Sequence, residues 1–248
     1  MTRRDSATTF PGDSEQRGAG GNRASFAALP FASCFAYLPG GNGPVCEEGR
    51  FLRTRLKAAD RVWLARLAAQ VWLEAVGHGR FASALGARAV LVPVPGSARV
   101  QGAAWVGERL AWCLKEVGLA AAVWPVLRRR HAVRKSAFAA AGERPSVIEH
   151  YASFVIDGAP WVTRMSDSDL VVRDACGPGL RLTLIDDVIT RGRTLLAAAG
   201  RLREAFPRAE IRAFALLRTL ASGETLLRVL DPCEGEVRWV SDDARRCP

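Results

Sequence analysis

From about Phe26 onward, short apolar runs alternate with longer amphipathic stretches. Phe26 to Leu38 predicts a short strand ending near Tyr37, followed by a Pro/Gly-rich loop from Pro39 to Pro44. Gly49 to Lys57 predicts a helix and Arg61 to Val76 a second. On the second, Val62, Ala65, Leu67, Ala69, Trp72, Leu73 and Val76 recur at helical spacing as a broad apolar face. Trp63 and Trp72 are expected in the core. Ala89 to Val92 reads as a strand stopped by Pro93-Val94-Pro95-Gly96-Ser97. Ala103 to Val117 is an amphipathic helix and Val123 to Leu127 a further strand. Arg128 to Arg144 is strongly basic without a clear period, either a mobile loop or a solvated helix. Tyr151 to Ile156 alternates like a strand, and Asp157 to Pro178 is loop-rich, with an insertion around Ser166 to Val172. Arg181 to Ile185 predicts a strand, Thr194 to Phe206 a helix and Ile211 to Leu217 a strand, ahead of a mixed tail from Arg218 to Pro248. Strands alternating with helices in one run imply a doubly wound α/β fold with a mostly parallel sheet. Residues 1–24, polar and rich in Gly, Ser, Thr and Arg, read as a disordered tail. Their Gly18-Ala19-Gly20-Gly21 run follows no strand, so it is no dinucleotide loop.

The 248 residues are 49% hydrophobic, enough for a substantial core, and carry a net charge of +10. That balance favours phosphorylated ligands, nucleic acid or acidic surfaces as partners. Lys57, Lys115 and Lys135 are the only lysines, so the excess is arginine, which GC-rich codon usage explains as readily as a partner does. Cys34, Cys46, Cys113, Cys176, Cys233 and Cys247 form no C-x-x-C pair, which argues against a zinc site and a disulfide framework and for a reducing cytoplasm. Arg3-Arg4 is not followed by the apolar segment a twin-arginine signal needs, and no stretch is expected to span a membrane.

The chemistry concentrates in Leu182 to Thr194, L-T-L-I-D-D-V-I-T-R-G-R-T. An apolar strand meets Asp186 and Asp187, then two apolar residues, then the loop Thr190-Arg191-Gly192-Arg193-Thr194 and a helix. Adjacent carboxylates stay ionised only beside cations or several hydrogen-bond donors. Vicinal sugar hydroxyls supply donors, and Mg²⁺ bound to them supplies charge. The loop's backbone amides, at a helix amino end, suit a phosphate, and the hydroxyls of Thr190 and Thr194 add donors. Together they describe a site for ribose 5-phosphate.

This stretch resembles the phosphoribosyl pyrophosphate (PRPP) signature of type I phosphoribosyltransferases. Thr183 and Arg191 depart from the pattern, at positions where apolar and small residues are usual. Arg193 is bulky at a variable position. Val92-Pro93-Val94-Pro95-Gly96-Ser97 with Arg99 resembles the family's pyrophosphate loop in the V-P-V-P form of the ComF (competence protein F) branch. Arg130 to Phe154 resembles the flexible catalytic loop of the same branch, and Lys57 stands where ComF-like proteins carry a lysine after a helix. The amino-terminal zinc finger of many ComF proteins is missing. The resemblance covers roughly Phe51 to Arg218.

The resemblance implies one phosphoribosyltransferase-like domain over 25–248, with a small variable hood from about 26–45 and 218–248. It implies transfer of ribose 5-phosphate from PRPP to an unidentified nitrogen acceptor, a base or an amine, with release of pyrophosphate. Thr190, Arg191, Gly192, Arg193 and Thr194 would hold the 5-phosphate, and Pro95, Gly96, Ser97 and Arg99 the pyrophosphate. Asp186 and Asp187 would orient the ribose, with Lys135, Arg134 or Arg144 closing over the ligand. Mg²⁺ is the implied cofactor, carried by PRPP and in part by Asp186 and Asp187. Dimers are a tendency of the family. His131 and His150 are expected to be structural or surface residues, and Arg128 to Arg130 a solvated basic face. The alternative function is a non-catalytic PRPP- or nucleotide-sensing regulator that binds nucleic acid or a protein partner; the charge permits nucleic acid, but no recognition motif accompanies it.

Overall fold

A computed structural model describes residues 26–98, 105–134, 144–157, 179–221 and 223–248. The expected tail, the 166–172 insertion, Cys176, Arg99 and Lys135 lie outside them.

The sequence forms a seven-stranded central sheet in the order β3-β2-β6-β7-β1-β8-β9. These strands are β1 (Leu29–Tyr37), β2 (Gly86–Pro93), β3 (Ala120–Val123), β6 (Arg181–Ile189), β7 (Glu210–Thr219), β8 (Leu230–Val240) and β9 (Asp243–Cys247). Strands β3, β2, β6, β7 and β1 are mutually parallel, and β8 and β9 each run antiparallel to the strand before them in the sheet. A two-stranded ribbon pairs β4 (Leu127–Arg129) with β5 (Phe154–Ile156). Helices α1 (Pro44–Lys57), α2 (Arg61–His78) and α3 (Val106–Glu116) cover one face of the sheet. The other face carries α4 (Val147–Ser153) and α5 (Arg193–Ala205). Both faces are therefore buried, which is why β2, β6 and β7 are near-continuous apolar runs rather than alternating ones. The doubly wound α/β architecture stands. No helix among the described residues is long and apolar enough to cross a membrane.

The direction of winding reverses between β2 and β6. From β2 the chain passes through α3 on one face to β3. From β6 it passes through α5 on the opposite face to β7, on the other side. Such a reversal leaves a crevice at the carboxyl ends of the two strands. Its opening is visible in the register. β2 pairs with β6 only as far as Pro93↔Ile185, whereas β7 accompanies β6 to Ile189↔Arg218. Asp186 is the first residue of β6 beyond the reach of β2.

Several elements differ from the sequence reading. The acidic pair lies inside β6, which runs on to Ile189 instead of stopping at Ile185. The strand expected over Val123–Leu127 is two strands, with Trp124, Pro125 and Val126 between them, because Pro125 has no amide for a ladder. Tyr151–Ser153 is helical. Ser146 and Glu149 form a reciprocal capping box that starts α4, and only Phe154 onward is strand. On α2 the buried residues are Leu64, Leu67, Ala68, Val71 and Glu74. Of the apolar face read from the sequence, only Leu67 is among them; Val62, Trp72, Leu73 and Val76 face solvent. Trp63 is partly buried against Phe51 and Arg55, and Trp72 is 40% exposed, so only the first packs as expected. The stretches assigned to a hood supply strands of the central sheet: β1 lies between β7 and β8, and 218–248 adds β8 and β9 at its edge. Almost every residue of β1 is buried, which suits a strand inside a sheet.

Candidate functional site

The crevice holds a cavity of about 850 Å³. It collects every described residue that the sequence nominated: Asp186 and Asp187; the loop Thr190, Arg191, Gly192, Arg193, Thr194; the second loop Pro95, Gly96, Ser97; and Arg134 and Arg144. Arg99 and Lys135 cannot be located in it, since both lie outside the described residues. Eight cationic side chains line the cavity against two carboxylates, so it suits an anionic ligand.

The carboxylates are unequal. Asp187 is buried and bonds Lys57 Nζ, carried on the last turn of α1. Asp186 accepts the Asp187 N–H on Oδ1 at 2.9 Å. Burial, followed by the negative charge of Asp187, pushes the Asp186 carboxyl well above the usual carboxylate range; Lys57 and the Asp187 amide only partly offset this. The site therefore lacks positive charge at Asp186. Hydroxyl donors or a cation brought by a ligand would correct that deficit. Among the described residues no group of three or more His, Cys, Asp or Glu could hold a metal. Two adjacent carboxylates fit Mg²⁺ all the same, because that ion is commonly held by one or two carboxylates together with ligand phosphates.

The loop after β6 is shaped by Gly192. Its φ is +86°, and a Cβ there would come within 2.6 Å of Val237 on β8, so both conformation and packing demand glycine. Gly192 caps α5 without a side chain, so no cap side chain satisfies the amides of its first turn. Thr190 Oγ1 stands 3.3 Å from Thr219 Oγ1 at the end of β7. The two bulky arginines of this loop are drawn onto Asp243. Arg193 contacts its two oxygens at 2.5 and 2.6 Å, and Arg191 reaches Oδ2 at 3.1 Å. A two-residue turn, Ser241-Asp242, with both residues at positive φ, sets Asp243 at the start of β9. The departure at Arg191 is thus accommodated by an acid from the far end of the sheet.

The loop after β2 is fastened at three points. Val94 N–H donates to Ile185 O at 2.9 Å, Val133 N–H donates to Ser97 O at 2.8 Å, and Arg129 Nε donates to Gly96 O. Arg129 is only 6% exposed, correcting the solvated basic face read for it. Its guanidinium also bonds Ser153 Oγ, lies 4.1 Å from the Phe154 ring centroid and approaches His150 Nδ1 at 3.3 Å. Burial lowers its pKa to about 10, with Asp186 acting in the opposite direction. His150 is 4% exposed and lines the cavity, with Nε2 3.5 Å from Thr194 Oγ1. Burial, and then the charge of Arg129, lowers His150 to about 4. Arg129 and His150 thus link the two loops.

Four basic residues of the cavity escaped the sequence reading of the site: Arg50, Arg53, Arg129 and His150. The first two had a signal. Arg50, Arg53 and Lys57 are spaced three and four apart on α1, which puts them on one helix face. His150 had one too, since the Ser146-Val147-Ile148-Glu149 capping pattern predicts a helix starting just before it. Arg129 had none; its burial depends on pairing Leu127–Arg129 with Phe154–Ile156.

Compared with known proteins, the chain matches no family model and no curated protein.

Proposed function

We propose that the protein binds PRPP and transfers its ribose 5-phosphate to a nitrogen acceptor. One observation carries this reading: the acidic pair, the glycine-containing loop before α5 and the Pro95–Ser97 loop line a single cavity at the reversal of winding.

In the reaction, the bond from C1 of ribose to the pyrophosphate oxygen breaks and its electron pair leaves with pyrophosphate. The acceptor nitrogen's lone pair forms the new bond to C1, and the nitrogen loses a proton to solvent. The ribose passes through an oxocarbenium-like state, so positioning and charge placement account for most of the catalysis. Asp186 and Asp187 accept from the ribose hydroxyls and favour the developing positive charge. Lys57 holds Asp187 in place through their ion pair. The first amides of α5, with Thr190 and Thr194, bind the 5-phosphate. Gly96, Ser97 and the neighbouring cations bind the pyrophosphate. Mg²⁺, where bound with the ligand at Asp186 and Asp187, supplies charge neutralisation for the leaving group.

Incubation with PRPP, Mg²⁺ and a panel of bases and amines, followed by pyrophosphate detection, tests the transfer step. Release that depends on one acceptor and is lost in Asp186→Asn supports an enzyme. PRPP binding without release for any acceptor supports the sensing alternative.

A further inference from the structure

A second cavity of about 770 Å³ adjoins the first. The two share Arg144, Thr190, Arg191 and Thr219, so the loop that would hold the 5-phosphate borders both. Arg245 and Arg246, on β9, complete the far side. The one carboxylate in its lining, Asp243, already has both oxygens bonded by Arg191 and Arg193. Arg144, Arg245 and Arg246 therefore add positive charge that Asp243 does not neutralise. Arg246 is anchored through main-chain carbonyls, donating to Thr219 O at 2.8 Å and to Ile189 O at 3.4 Å. No ion pair to it exists among the described residues. Burial, and next the charge of Arg218, push its pKa down, so an added anion would relieve it. The remaining lining, including Leu220, Val240 and Ala244, is apolar.

An arginine-rimmed hollow beyond a phosphate loop suits a second phosphate attached to the first. A cavity of this volume also has room for more than one phosphate. We propose that the second cavity takes the outer phosphate of a ribose 5-diphosphate, the element common to nucleoside diphosphates, so that such ligands span both cavities. This rests on the reading of the first cavity as a ribose 5-phosphate site.

AMP and ADP differ by that one phosphate, so calorimetric titration of each, with Mg²⁺, reads the second cavity directly. Wild type is expected to bind ADP about tenfold more tightly than AMP or better. In Arg245→Glu, an exposed position on the edge strand, the ratio is expected to fall to within about threefold of one. Arg88→Glu, the same charge change at the opposite end of the sheet, should leave the ratio as in wild type and so exclude a general field effect. The inference is overturned if wild type shows no preference for ADP or if the preference survives Arg245→Glu. It is also overturned if inorganic phosphate added with AMP reproduces the gain, since the cavity would then be an independent anion site. Binding of AMP without preference for ADP overturns this inference alone. Binding of neither nucleotide nor PRPP overturns the ribose 5-phosphate reading as well.

Discussion

Arg129 Nη2 stands 3.3 Å from His150 Nδ1. A guanidinium can only donate, so Nδ1 accepts and the single proton of the neutral ring sits on Nε2. That N–H is presented toward Thr194 Oγ1, 3.5 Å away, at the amino end of α5. Because Arg129 also bonds the Gly96 carbonyl, one buried guanidinium sets the loop after β2 and, through His150, the donor facing the loop after β6. His150 is a positioning residue and a candidate donor to a bound phosphate.

The same pair makes stability depend on pH. His150 is held at about 4 in the folded chain, below the ordinary histidine value of 6.5. Between these values the unfolded chain binds a proton that the folded chain does not, so unfolding free energy falls as pH drops from 6.5 to 4. The loss attributable to His150 is about 3 kcal/mol at most. Urea unfolding at a series of pH values should show a shallower decline for His150→Asn than for wild type. Parallel declines would contradict the neutral ring.

Asp186 works with the opposite sign. Its folded pKa is raised, so its contribution is favourable at low pH and lost as pH rises through the folded value. Asp186→Asn should therefore stabilise the ligand-free protein above neutrality, on the order of 2 kcal/mol, with the difference vanishing near pH 4. The same variant should lose PRPP affinity. Thermal unfolding without ligand, run beside a binding titration, checks both halves. An unchanged or lowered midpoint above neutrality would contradict a strained acid pair.

Gly192→Ala combines a positive-φ penalty with an overlap on Val237. A destabilisation of about 2–4 kcal/mol is expected by chemical denaturation. Adding Val237→Ala should recover the steric part, so the double variant should be more stable than the sum of the single effects predicts. Strict additivity would mean that β8 does not press on the loop.

Much of this site was legible because its parts are local. The run Leu182–Ile185, the acid pair and Gly192 follow one another in sequence, and the crevice only had to bring Pro95–Ser97 beside them. What stayed hidden depends on distant partners. Asp243, some fifty residues from Arg191 and Arg193, explains how this loop accommodates two arginines. Arg129 is buried only because β4 pairs with β5. The outward face of α2 misled because apolar residues lie on both sides of that helix, and periodicity alone does not tell which stripe meets the sheet. Tyr151–Ser153 alternates like a strand, but the Ser146/Glu149 caps commit it to helix.

Lys57 is the cation nearest Asp187. Its replacement by methionine keeps the apolar stem and removes a charge that favours the ionised form of Asp186. Lys57→Met should weaken binding of PRPP with Mg²⁺ most at acidic and neutral pH, with recovery as pH rises and Asp186 loses its proton. Titrations at three pH values measure this; a loss independent of pH would assign Lys57 to direct ligand contact instead.

The central claim is tested most directly by calorimetric titration of PRPP with Mg²⁺ into wild type and Asp187→Asn. The account predicts saturable one-site binding to wild type and an affinity at least about tenfold weaker in the variant. No binding to wild type would contradict the PRPP site, and equal binding by Asp187→Asn would contradict the role given to the acid pair.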